Sequence, residues 1–74
     1  MTEAQYKILT EHKHVYDFYK QVQTVNSAHP SMAKINEVYT QLGFPHADMS
    51  CSRCVCEMLD TIYNIYNQTE NIWQ

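Results

Sequence analysis

Seventy-four residues allow one domain, and a chain this short buries only about 60–65% of the surface its unfolded form exposes, so its core is small. Five basic against eight acidic residues give a formal charge of −3, the wrong sign for a protein that binds by neutralising phosphates, which argues against nucleic acid as a partner. No apolar run approaches the roughly 20 residues of a membrane span, and Met1-Thr2-Glu3-Ala4-Gln5 lacks a basic region leading into an apolar one; a soluble, non-secreted chain with no membrane partner is expected.

Glycine and proline are scarce and act as punctuation. A first helix is predicted over about 2–25. Thr2 with Gln5 makes a capping-box pattern, and Ala4, Ile8, Val15, Phe18, Val22 and Val25 recur at helical spacing. Glu11 interrupts that stripe with a side chain long enough to reach water, while His12 and Tyr19 flank it. Residues 26–31 read as a loop, because His29 precedes a proline and is biased away from helical angles. The second helix, 31–42, puts Met32, Ile35, Val38, Tyr39 and Leu42 on one face. Gly43 then stands where a left-handed cap is wanted, Phe44 can fold back, and Pro45 blocks continuation.

A connection over 45–50 offers Asp48 or Ser50 as N-caps for a third helix, 51–67, whose apolar series is Cys51, Val55, Met58, Ile62 and Ile65. Residues 68–74 are polar enough to fray, although Ile72 and Trp73 could dock on the body. The expected architecture is all-α, a single domain over 1–74 folded as a small three-helix bundle.

All three cysteines lie within Cys51-Ser52-Arg53-Cys54-Val55-Cys56. An odd, clustered set does not resemble a secreted disulfide framework and suits a reducing compartment. Cys51, Cys54 and Cys56 with His46 upstream supply four zinc-ligand types. Helical phase works against one ion: Cys54 lies about 60° from Cys51, but Cys56 lies about 160° from Cys54. Buried thiols packing as small apolar groups are the plainer reading, and no cofactor is expected. Redox chemistry by the dithiol would normally need a strand-and-helix scaffold, of which the sequence has no sign, although a disulfide between Cys51 and Cys54 stays open. His12, His14, His29 and His46 read most simply as surface or loop residues.

The apolar arc of the third helix is wider than a three-helix bundle needs. Cys56, Leu59, Tyr63 and Tyr66 extend it to about 200°. One explanation is a central helix contacting both others. The other is a partner-binding face made of Cys56, Leu59, Tyr63 and Tyr66, a role for which tyrosine's large area and polar tip are suited. Six tyrosines and a tryptophan in so short a chain fit such a surface.

The order of segments "QYKILTEHKHVYDFY", "INEVYTQLG" and "CSRCVCEMLDTIY" resembles short Cys-x-x-Cys proteins encoded near structural genes of tailed bacteriophages of Bacteroidetes. The shared pattern is Cys51, Cys54, Val55, Met58 and Leu59; Cys56 departs from it. The resemblance implies a phage-encoded protein, a virion component, with no enzymatic activity. The expectation is a non-enzymatic helical interaction protein docking on a larger protein partner or forming a homo-oligomer, in the virion or host cytoplasm. A zinc-stabilised module using Cys51 and Cys54 with Cys56 or His46, and a phage inhibitor of a host protein, are the alternatives.

Overall fold

The computed structural model describes residues 1–26 and 28–73, the last four through their backbone alone. Every regular element among them is a helix: α1 (Glu3–Glu11), α2 (Lys13–Val22), α3 (Pro30–Gln41) and α4 (Ser52–Trp73). The all-α expectation agrees with this architecture, but the count of three does not. The stretch expected as one helix over 2–25 is two, and the last helix runs well past residue 67.

The start of α1 is the capping box expected: the Thr2 hydroxyl accepts from the Gln5 backbone N–H at 3.1 Å, and the Thr2 N–H donates to Gln5 Oε1 at 2.9 Å. The helix breaks at His12, whose φ of −101° and ψ of 8° leave the helical region. Side-chain phase explains the break. In one continuous helix Leu9 and Val15 would point about 120° apart, so both could not face the same neighbour. The bend resets the phase, and Leu9, Val15 and Tyr19 all become buried. The stripe read from the sequence is corrected accordingly: Ala4 is exposed, Ile8 and Val25 are half-buried, and Phe18 and Val22 point outward. His12 Nδ1 lies 2.8 Å from the buried Ser31 hydroxyl, which ties the bend to α3.

Pro30 opens α3 at its first turn, where a missing N–H costs nothing, and His29 Nδ1 accepts from the Ser31 N–H at 3.1 Å. Met32, Ile35 and Val38 are buried as expected. The end of α3 is a Schellman motif: Gly43 N–H donates to the Thr40 carbonyl and Phe44 N–H to that of Tyr39. Gly43 has φ +97°, a conformation that side-chain-bearing residues resist, and Phe44 stacks on Tyr39 with ring centroids 4.7 Å apart.

Asn36, also on α3, is buried, and its side chain clamps the following connection. Its Oδ1 accepts from the Ala47 N–H and its Nδ2 donates to the Ala47 carbonyl, both at 3.1 Å. The same Nδ2 lies 3.2 and 3.3 Å from the two ring nitrogens of His46. Asp48, expected as an N-cap of the last helix, instead closes the turn before it, accepting from the Ser50 N–H and hydroxyl.

The long α4 is the spine. Val55, Met58, Leu59, Ile62 and Tyr63 are wholly buried, and the helix packs against both α1 and α3. It does not stop at residue 67 because nothing there breaks it; Thr69 is buried and its hydroxyl donates to the Ile65 carbonyl at 2.8 Å. The backbone continues as helix through Trp73, across most of the stretch expected to fray. The docking expected of the Ile72 and Trp73 side chains, and Gln74 itself, lie outside what is described.

Candidate functional site

The face expected to bind a partner is inside the protein. Leu59 and Tyr63 have no exposed surface, Tyr66 is 4% exposed, and Cys56 is half-buried against the core. The bend at His12 is the cause, since it lets α1 and α2 cover the second flank of α4. Tyr63 stacks on Tyr16 with centroids 4.6 Å apart, and its hydroxyl donates to the Leu9 carbonyl at 2.8 Å. That carbonyl lies in the last turn of α1, where helical acceptors run out of partners. Tyr66 stacks on Tyr6 at 4.6 Å, and its hydroxyl pairs with that of Thr10 at 2.8 Å. The wide arc on α4 thus belongs to a central helix, and the tyrosines stitch α1 and α2 to it rather than forming an outer surface.

Tyr19 continues this seam. Its hydroxyl donates to Asp60 Oδ2 at 3.1 Å, and Lys20 reaches Asp60 Oδ1 at 3.6 Å. Burial, then the Asp60 hydrogen bond and charge, push the Tyr19 hydroxyl up to about 12; burial above all raises Tyr63 as well. Both folded values exceed the unfolded one, so the neutral phenols stabilise the fold fully below about pH 10, and that contribution is lost as pH climbs through about 12. Thermal melts followed by circular dichroism should show Tm falling across this window. Tyr19→Phe should flatten the fall, because the titrating hydroxyl is gone.

The cysteines separate as helical phase required. Cys51 stands at the N-cap of α4: its carbonyl accepts from the Val55 N–H at 3.1 Å, and its Sγ accepts from the Cys54 N–H at 3.2 Å. The Cys54 thiol hydrogen-bonds Cys51, and that bond first, then burial and the Cys51, Asp48 and Glu57 charges, push it up to about 11. Cys56 is turned elsewhere, toward Tyr19, whose hydroxyl it helps to push up after burial and Asp60. His46 shares a shallow groove of about 270 Å³ with Cys54, Tyr39, Asp48 and Glu57, but its ring nitrogens lie 3.2 and 3.3 Å from Asn36 Nδ2. Among the described residues no three His, Cys, Asp or Glu side chains converge on a point that could hold an ion. The set of Cys51 and Cys54 with Cys56 or His46 is not gathered into one site.

What the sequence reading missed is the outer side of α2. Phe18 is 54% exposed and Val22 44% exposed, the large apolar side chains that stand out from the surface among the described residues. Beside them, between α2 and the chain leading into α3, lies a groove of about 420 Å³ lined by His14, Val15, Phe18, Val25, Asn26 and His29. The His14 and His29 rings meet edge to face at its rim, 5.8 Å between centroids. Spacing alone places Phe18 and Val22 in the core; the signal that could have freed them is the pair Leu9 and Val15, about 120° apart in an unbroken helix, which face one neighbour only if the helix breaks between them.

The architecture defines a small four-helix domain with α4 at its centre and one apolar groove on α2. No protein-family model, curated protein or solved structure matches the chain.

Proposed function

We propose that this chain is a non-enzymatic helical interaction protein, and that its groove on α2 receives an apolar anchor from a short segment of a larger partner. The observation that carries this reading is the exposure of Phe18 and Val22 beside a groove lined by Val15 and Val25, where the other large aliphatic side chains among the described residues are buried wholly or in part. Leaving a phenylalanine half in water forgoes burial that a partner would recover.

Size and charge indicate the occupant. A stable dimer needs about 800 Å² per partner, whereas α2 is a ten-residue helix about 15 Å long. Two copies each carrying −3 also repel. A single aromatic or branched aliphatic side chain on a short segment fits the groove's volume. The rim adds direction: His29 Nδ1 is occupied by the Ser31 N–H, so the neutral ring carries its proton on Nε2 and offers a donor. An anchor followed by a hydrogen-bond acceptor matches this. On the resemblance to phage-encoded proteins, the partner is to be sought among structural components of a virion.

Selection of short random peptides on the immobilised protein tests the reading, with Phe18→Asp and Val22→Asp as counter-screens. Both positions are exposed, so the variants should keep their helical circular dichroism. Selected peptides should share an aromatic or aliphatic anchor and bind both variants at least about tenfold more weakly, a difference of about 1.4 kcal/mol. Equal binding to the variants would sink the proposal, as would a concentration-dependent dimer that Phe18→Asp abolishes.

A further inference from the structure

The pair Cys51 and Cys54 has an arrangement that packing does not require. Two cysteines separated by two residues sit at the mouth of a helix, both partly open to solvent, with the Cys51 sulfur accepting the Cys54 backbone N–H at 3.2 Å. Three residues apart at a helix start, their Cα atoms lie about 5 Å apart, inside the range of about 4.4–6.8 Å that a disulfide spans. Helical phase turns the third cysteine about 160° away from Cys54.

We propose that Cys51 and Cys54, apart from the docking groove, form a stoichiometric thiol–disulfide exchange pair and not a catalytic centre, with Cys51 as the attacking sulfur, Cys54 as the resolving one, and low-molecular-weight disulfides or exposed protein disulfides as the reactant. The roles follow from the two positions at the helix start. The Cys51 sulfur accepts the Cys54 N–H at the helix N-terminus, where the helix dipole favours negative charge, and Cys51 is the residue that precedes the first turn of α4. Cys54 lies within that first turn, so its sulfur is placed to take the second step.

In the first step the Cys51 thiolate attacks one sulfur of R–S–S–R; a bond forms between Cys51 Sγ and that sulfur, the substrate's S–S bond breaks, and R–S⁻ leaves and takes a proton from water. In the second, Cys54 gives its proton to solvent and its sulfur attacks Cys51 Sγ, displacing the second R–S⁻. Two protein thiols are oxidised to one internal disulfide, and one R–S–S–R is reduced to two R–SH. The reverse sequence returns the dithiol when R–SH is in excess.

Incubation of the full-length chain in glutathione redox buffers, followed by acid quenching, thiol alkylation and peptide mass mapping, tests this. The wild type should gain an internal Cys51–Cys54 bond with Cys56 still alkylated. Cys54→Ser should instead stop at a glutathione adduct on Cys51. Cys51→Ser, which keeps an N-capping side chain and so the start of α4, should react with glutathione disulfide at least about tenfold more slowly than Cys54→Ser. Cys56→Ser should behave as the wild type. Glutathione accumulating on all three cysteines of the wild type without an internal bond would overturn the proposal. So would equal reaction rates for Cys51→Ser and Cys54→Ser, or an adduct on Cys56 in Cys54→Ser.

Discussion

Tyr63→Ala should leave most molecules unfolded, or within a few degrees of unfolding, at room temperature. A domain of this length is worth roughly 4–11 kcal/mol in total. Removing a wholly buried aromatic ring costs about 3–5 kcal/mol through lost transfer energy and the cavity left behind. Here the ring also fills the space between Tyr16, Tyr66 and α1, and its hydroxyl satisfies the Leu9 carbonyl where α1 ends. Tyr63→Phe separates the two effects. It keeps the ring and its stack and should cost about 1–2 kcal/mol, the penalty for a buried acceptor left without its donor. Urea titrations followed by circular dichroism, with both variants beside the wild type, give the numbers. If Tyr63→Ala melted within a degree or two of the wild type, the ring would not be in the core, and the outward-facing partner surface first read from the sequence would return.

Asn36→Ala should be the second most damaging change, at about 2–4 kcal/mol, because it leaves the buried Ala47 N–H and C=O without partners at once. The effect should be local before it is global. Amide exchange at Ala47 should accelerate by more than exchange in the middle of α4, since the clamp holds the connection and not the spine. Asn36→Asp is the sharper version of the test: its carboxylate can still accept from the Ala47 N–H, but it faces the Ala47 carbonyl with no donor and adds a buried charge. It should cost at least as much as Asn36→Ala at neutral pH and recover partly as the carboxyl is protonated in acid. Equal stability of Asn36→Asp and the wild type at neutral pH would contradict the clamp.

The two substitutions show why some residues could be read from the chain and others could not. Gly43, Phe44 and the capping box of Thr2 with Gln5 were legible because each depends on neighbours within five residues: a backbone conformation that glycine tolerates, or a side chain reaching its own first turn. Met32, Ile35, Val38, Val55, Met58 and Ile62 were legible because helical periodicity alone assigns them to one face. Asn36 was not, since a polar residue inside an apolar helix face has meaning only once its partner, a backbone eleven residues away, is in position.

Local chemistry thus determined the helical class, the start and stop of α3, the start of α1 and the divergence of Cys56 from the Cys51 and Cys54 pair. Tertiary packing decided the rest. The break at His12 carries no glycine or proline and follows from the need to turn Leu9, Val15 and Tyr19 toward one spine, a condition that involves residues on α3 and α4. Once the break exists, Tyr63 and Tyr66 are covered, Phe18 and Val22 are turned out, and the candidate surface moves from α4 to α2. A hydrophobic stripe records which residues avoid water, but not which of two flanks its neighbours will cover; that depends on how the other helices are oriented, and only the assembled fold specifies it.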